Sequence, residues 1–162
     1  MKLEKITRRR FLTGISFGLA AASAALVSVP VIGSILVPLF RRLPEVWRSV
    51  GHVDSFEVGK TVPVVFQNAD PLPWAGVTAN NAAWLRRVNE TEFIAFAINC
   101  MHLGCPVTWL PDAELFMCPC HGGVYTKDGE VAAGPPPKAL ARHQVRVRNG
   151  EVEILTMSIP IA

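Results

Sequence analysis

The polar and apolar positions divide the chain into two unlike parts. Residues 11 to 40 read FLTGISFGLAAASAALVSVPVIGSILVPLF, thirty positions without a charged side chain. About 20 apolar residues suffice to cross the hydrocarbon core of a bilayer. Gly14, Gly18, Pro30, Gly33 and Pro38 interrupt the run, and such residues are tolerated in membrane helices. A single transmembrane anchor at 11–40 is expected, since a buried helix of a soluble core has no need of that length. From residue 52 onward the pattern changes to short runs separated by turn residues. TVPVVF (61–66), AAWLRRV (82–88), FIAFAIN (93–99), ELFM (114–117), GVYT (123–126), EVAA (130–133), ARHQVRVR (141–148) and EVEIL (151–155) read as strands. Asn149-Gly150 is a hairpin signal and Lys127-Asp128-Gly129 a second turn. QNADPLPWAGVTANN (67–81) reads as a loop or irregular edge. RRLPEVWRSVG (41–51) reads as a juxtamembrane linker, interrupted by Pro44, with Trp47 placed for the membrane interface. Residues 52–162 are expected to form one small antiparallel all-β domain with long loops.

Charge sharpens the N-terminal reading. The formal net charge of +3 is uneven. Residues 1–10 carry Lys2, Lys5, Arg8, Arg9 and Arg10 against Glu4, whereas residues 41–162 carry 11 basic and 12 acidic side chains. The basic excess is an address at the terminus, and nucleic-acid binding is not expected. Thr7-Arg8-Arg9-Arg10-Phe11-Leu12 resembles the twin-arginine export motif, with Thr13 where Lys is usual. That route exports folded proteins, which suits a chain that acquires its cofactor in the cytoplasm. Ala22-Ser23-Ala24 has the small residues of a cleavage site. Cutting there would leave 16 apolar residues exposed, so an uncleaved anchor is expected. The reading is a single-pass protein of the cytoplasmic (inner) membrane. Its basic segment 1–10 lies in the cytoplasm and its head on the outer, periplasmic side.

The candidate chemistry is confined to two stretches. All four cysteines lie between residues 100 and 120, in CMHLGC (100–105) and CPCHGG (118–123). Two Cys–His pairs could serve a tetrahedral zinc, but the Cys-x-His spacing is tight for a finger and two cysteines would be left over. A Cys-x-x-Cys pair, the usual mark of a redox dithiol, is absent. The third possibility is the order Cys-x-His-x-Gly-Cys … Cys-x-Cys-His-Gly, with 12 residues between Cys105 and Cys118.

That double box resembles the Rieske iron–sulfur family, and Gly134-Pro135-Pro136-Pro137 resembles its proline loop. The resemblance implies an all-β, small antiparallel Rieske-type sandwich with a cluster-binding subdomain at about 98–138, plus the one N-terminal transmembrane helix. It implies a 2Fe–2S cluster with one iron held by Cys100 and Cys118 and the other by His102 and His121. It implies a disulfide between Cys105 and Cys120, which suits an exported domain. Leu103, Gly134, Pro135 and Pro136 would shield the cluster. Replacing two thiolates by neutral imidazoles removes negative charge, which raises the reduction potential. Reduction then raises the proton affinity of the imidazoles, coupling electron to proton. Such a centre suits a quinol.

The disulfide cysteines separate this chain from Rieske ferredoxins and oxygenases. The resemblance is to the membrane-anchored subunit of a cytochrome bc-type quinol:cytochrome c oxidoreductase. Its expected partners are cytochrome b, a c-type cytochrome and quinol, in a dimeric complex. His121, with His102 beside it, would meet the quinol and accept its proton. The head would then swing to the c-type haem, although the linker lacks the expected Gly/Ala-rich hinge. Tyr125 matches a family position that donates to the sulfur of the residue corresponding to Cys100. Gly123 departs from the Ser many members carry, and a missing hydroxyl lowers the potential. Menaquinol is therefore expected in place of ubiquinol. The alternatives are the small subunit of an arsenite oxidase-like complex and a membrane-tethered zinc module without redox function.

Overall fold

A computed structural model of the protein describes residues 7–40 and 44–156. It divides into two compact units, an N-terminal helix and a β head. The helix α1 runs from Arg8 to Phe40 without a break at Pro30. At about 1.5 Å per residue it is about 50 Å long, more than a bilayer core requires. Thr7 caps it: its Oγ1 accepts the Arg10 N–H at 3.4 Å. The Ser28 and Ser34 hydroxyls donate to the carbonyls of Ala24 and Val31 within the same helix, so neither carries an unpaired donor into lipid. The span Arg8–Val37 has a mean hydropathy of 2.1.

Among the described residues the head has eleven strands in three antiparallel sheets. The first has the order β1 (Val46–His52), β11 (Glu151–Thr156), β10 (Val145–Arg148). The second has the order β2 (Thr61–Gln67), β3 (Asn80–Arg87), β4 (Phe93–Ala97), β9 (Arg142–His143). The third has the order β5 (Thr108–Leu110), β6 (Leu115–Cys118), β7 (Gly123–Thr126), β8 (Val131–Ala133). Alternation along the strands explains the first two sheets. Val64 and Phe66, Ala83 and Leu85, Ala95, and Val152 and Ile154 all point into one shared core. Pro63 has no N–H to give the ladder, and β2 is an edge strand. Asn149 and Gly150 both adopt positive φ, 53° and 79°, as a type I′ hairpin turn between β10 and β11 requires.

Three strand expectations need correction. Val46–His52, read as the end of a linker, is a strand paired with β11 from Val46↔Thr156 to His52↔Glu151. Its signal was hidden by a register shift between Ser49 and Gly51 and by Trp47, which packs under the Arg146 guanidinium at 4.1 Å. Residues 141–148 are two strands, since the chain leaves one sheet after His143 and enters another at Val145. Thr108–Leu110 was not foreseen, being too short to show a period.

The third sheet is inserted between β4 and β9, and the Ala97 N–H bonds the Ala141 carbonyl where the insertion closes. It rests on the face of β3–β4 opposite the sandwich core. Phe96, paired with Trp84 across β3–β4, joins Phe116, Val107, Tyr125 and Leu140 in a second core. The Trp84 indole N–H donates to the Val107 carbonyl at 3.1 Å. Arg86 is buried on the same face. It donates to the Lys127 carbonyl and to Asp128 Oδ1, both at 2.6 Å, while Arg142 donates to the Asp128 carbonyl at 2.8 Å. Two cations thus clamp one turn of the insertion to the sandwich.

His143 is buried on β9, edge-on to Phe66 with ring centroids 5.5 Å apart. Burial pushes its pKa down from the usual histidine value to about 4. The folded state therefore holds His143 neutral while the unfolded chain would protonate it. Stability present above the unfolded value of 6.5 is lost as pH falls toward 4, by about 3 kcal/mol at the lower end. Urea titrations of the detergent-solubilised chain at pH 7 and 4.5 should show that loss. His143→Leu should remove it, leaving only the acid sensitivity of other groups.

Candidate metal centre

Three loops of the insertion and its edges meet at one tip. The first, Cys100–Cys105, leaves β4 and turns back on itself. The Cys100 N–H bonds the Cys105 carbonyl at 2.7 Å, and the Gly104 N–H bonds the Cys100 carbonyl at 2.9 Å. Gly104 sits at φ 80°, where a side chain would be strained. Asn99 Nδ2 braces the same loop by donating to the Gly104 carbonyl. The second loop, Cys118–Gly122, joins β6 to β7. The third follows β8 at Gly134–Pro137.

The four cysteines divide into two kinds. Cys105 and Cys120 form a disulfide with Cα atoms 6.5 Å apart, tying the first loop to the second. Cys100 and Cys118 are free thiols, 1% and 2% exposed. The sulfurs of Cys105, Cys118 and Cys120 lie within 4.8 Å of one another. Two of the three are spent on each other, so this trio is not a ligand set.

His102 and His121 are brought together with ring centroids 4.9 Å apart and planes at 85°. His102 Nδ1 is buried and has no hydrogen-bond partner, an expensive arrangement for a group with nothing to coordinate. His121 is exposed. Two buried thiols, two adjoining imidazoles and an orphaned imidazole nitrogen fit a centre held by two sulfur and two nitrogen ligands.

Tyr125 is fully buried beneath the first loop. Its hydroxyl lies 3.1 Å from Cys100 Sγ and accepts the Met101 N–H at 2.9 Å. Burial, and then the hydrogen bond with Cys100, push its pKa well above the usual tyrosine range. The hydroxyl therefore stays protonated beside the sulfur. Met101 was missed from the sequence: its part is played by a backbone N–H, which no residue type betrays. Asn99 was missed too, since it lies outside both boxes.

Gly123, Gly134 and Pro136 form a tight contact. A Cβ on Gly134, at φ 89°, would come within 2.9 Å of Gly123 Cα and would also collide with the Gly122 carbonyl oxygen. Pro136 is buried, whereas Gly134 and Pro135 are exposed. Leu103 is 71% exposed at the tip. His52 and His143 lie elsewhere, at the exposed end of β1 and within β9, as expected of non-ligands.

Residues 46–147 match the Rieske [2Fe-2S] domain family. The chain belongs to this family. It is similar to the menaquinol:cytochrome c reductase iron-sulfur subunit of Geobacillus thermodenitrificans, with 32% identity over 92% of this chain and 90% of the relative. It is equally similar to the cytochrome b6-f complex iron-sulfur subunit of Gloeobacter violaceus, with 32% identity over 92% of this chain and 82% of that one. Among solved structures, it resembles the cyanobacterial plasma membrane Rieske protein from Synechocystis PCC 6803. The identity is 21% over 65% of this chain and 96% of that one, with a TM-score of 0.48. A Rieske [2Fe-2S] cluster is therefore the cofactor, and the single apolar helix makes this Rieske protein membrane-anchored.

Two measurements probe the supports of the site. With Cys100 as a cluster ligand, Tyr125→Phe removes the hydroxyl bonded to its sulfur and leaves the Met101 N–H without its partner. Hydrogen bonds to cluster sulfur favour the reduced state, so a redox titration of the variant should give a lower midpoint potential. Replacing both Cys105 and Cys120 by Ala opens a crosslink of sequence separation 15. Chemical unfolding should then show a loss of about 3 kcal/mol.

Proposed function

We propose that this Rieske protein is the electron-transfer subunit of a membrane quinol:cytochrome c oxidoreductase of the cytochrome bc type, and that its quinol is menaquinol. The observation that carries the proposal is the tip itself. Two buried thiols and two imidazoles lie there beside a disulfide, in a chain that also bears one apolar helix. The menaquinol assignment draws on Gly123 and on the relatives named for menaquinol in Geobacillus and in Bacillus subtilis.

In this reading Cys100 and Cys118 hold one iron, and His102 and His121 hold the other. When bound, the [2Fe-2S] centre supplies one-electron chemistry at a higher potential than an all-thiolate cluster would. The chain's own residues do the rest. Tyr125 holds its proton against the Cys100 sulfur. His121, exposed at the tip, offers an imidazole edge to the quinol hydroxyl and takes up the proton released there. Leu103, exposed beside it, forms an apolar rim that excludes water when a partner docks. Cytochrome b would frame the quinol and a c-type cytochrome would take the electron. Thr7 to Leu12 and the basic residues of segment 1–10 support a cytoplasmic N-terminus and a head on the other side of the inner membrane.

The test is isolation of the intact protein from membranes in mild detergent. The expected result is two irons and two acid-labile sulfides per chain, with a b-type haem protein co-purifying. Reduction of cytochrome c should be faster with a menaquinol analogue than with a ubiquinol analogue. One zinc without sulfide would sink the cluster. A cluster without any b-type partner would point to an arsenite oxidase-like assembly instead. Equal rates with both quinols would remove the menaquinol assignment.

A further inference from the structure

Gly123 was expected to act by what it lacks, a hydroxyl. The geometry adds a different constraint. A Cβ built on Gly123 would lie 2.8 Å from Cγ and 3.3 Å from Cδ of Pro136, and 3.5 Å from Cys100 Sγ. Real Cβ atoms do not approach a carbon as closely as 2.8 Å. The neighbour cannot swing aside as the end of a long side chain would. Pro136 is buried, and Pro135 and Pro137 on either side fix φ at three successive residues. Two residues upstream, Gly134 is itself packed on Gly122 and on Gly123 Cα. The third loop is thus pressed onto the second with no slack at position 123.

We propose that Gly123 and Pro136 are one coupled unit that sets the surroundings of the Cys100 sulfur: the Pro136 ring occupies the space that any side chain at 123 would need. Neither side chain offers that sulfur a hydrogen-bond donor, and Pro136 lacks even an N–H. The Tyr125 hydroxyl is hydrogen-bonded to that sulfur, and the first carbon of a side chain at 123 would lie 3.5 Å from it. Position 123 can carry a hydroxyl only when position 136 is smaller. Gly123 alone is consequently an incomplete indicator of potential, and of the quinol inferred from it. The pair goes beyond the proposed function but rests on it in one respect, that Cys100 is a cluster ligand.

A double-mutant cycle on the full-length, cluster-loaded protein tests the pair. Gly123→Ala should lower the melting temperature by about 4–8 °C, and adding Pro136→Ala should recover most of that loss. Gly123→Ser should raise the midpoint potential clearly more in the Pro136→Ala background than in the Pro136 background. If Gly123→Ala does not accumulate folded, restoration of folded protein by Pro136→Ala is the same positive result. Additive effects on both melting and potential would overturn the coupling, as would a double variant no better folded than Gly123→Ala. Melting can be read whether or not iron is bound. A failure of the cluster assignment would appear separately, in the iron and sulfide content of the unmutated protein.

Discussion

The disulfide between Cys105 and Cys120 is the one covalent crosslink between the two loops that carry the Cys–His pairs, and the tip depends on those loops staying face to face. Each loop contributes one buried thiol and one imidazole, so neither forms a site alone. The disulfide limits their separation but does not set their orientation. Orientation comes from weaker contacts that converge on the same atoms. Tyr125, carried by β7 beyond the second loop, reaches back to Cys100 and Met101 of the first. Gly134, from the third loop, presses against Gly122 and Gly123. A crosslink, a hydrogen bond and a steric stop thus act on three sides of one small volume. This is pre-organisation in the physical sense: the thiols and imidazoles are held by neighbours whose own positions are already fixed.

Those neighbours are fixed because the sandwich offers both faces of β3 and β4 to different cores. Ala83, Leu85 and Ala95 face the sandwich core. Trp84 and Phe96, one position along each strand, face the insertion. Small residues on one side and aromatic residues on the other let a thin sheet support two layers. Ring contacts then run from Phe96 to Phe116 at 5.4 Å and from Phe116 to Trp109 at 4.7 Å. The Arg86 and Arg142 clamp adds polar links at the far side of the insertion. Removing Arg86 would leave the Lys127 carbonyl and Asp128 without their cation, whereas Asp128 is mostly exposed and can turn to water. The value of the clamp therefore lies mainly in Arg86.

How much of this was legible in the sequence follows from what each feature requires. The two buried thiols and two imidazoles that meet at the tip stood out in the sequence because such residues are scarce and their spacing is tight. The hairpin at Asn149-Gly150 was legible because positive φ at two successive positions demands such residues. Strand β1 was not, because its stability comes from pairing with β11, about a hundred residues away in sequence, and no local period records a distant partner. The split between β9 and β10 was hidden for a related reason. His143 and Val145 look like one alternating strand, and only the second and first sheets distinguish them. Gly123 was legible as an absence, but the packing around it was not. A sequence shows that no hydroxyl is present; it does not show that a proline ring fills the space.

The distribution of exposure at the tip has a consequence for how the chain can work. The thiols of Cys100 and Cys118 are buried, while His121 and Leu103 are exposed. On the proposed ligand assignment, a partner can approach the iron held by imidazoles and not the iron held by sulfur. Proton and electron would then cross the same small patch, which is what a quinol with its hydroxyl hydrogen requires. The buried side has a different task. Tyr125 and the Gly123–Pro136 contact act on the Cys100 sulfur, out of reach of any partner. Affinity for the quinol and affinity for the electron are thereby assigned to opposite sides of one centre. Changes at Leu103 should alter docking with little effect on potential, and changes at Tyr125, Gly123 or Pro136 should do the reverse.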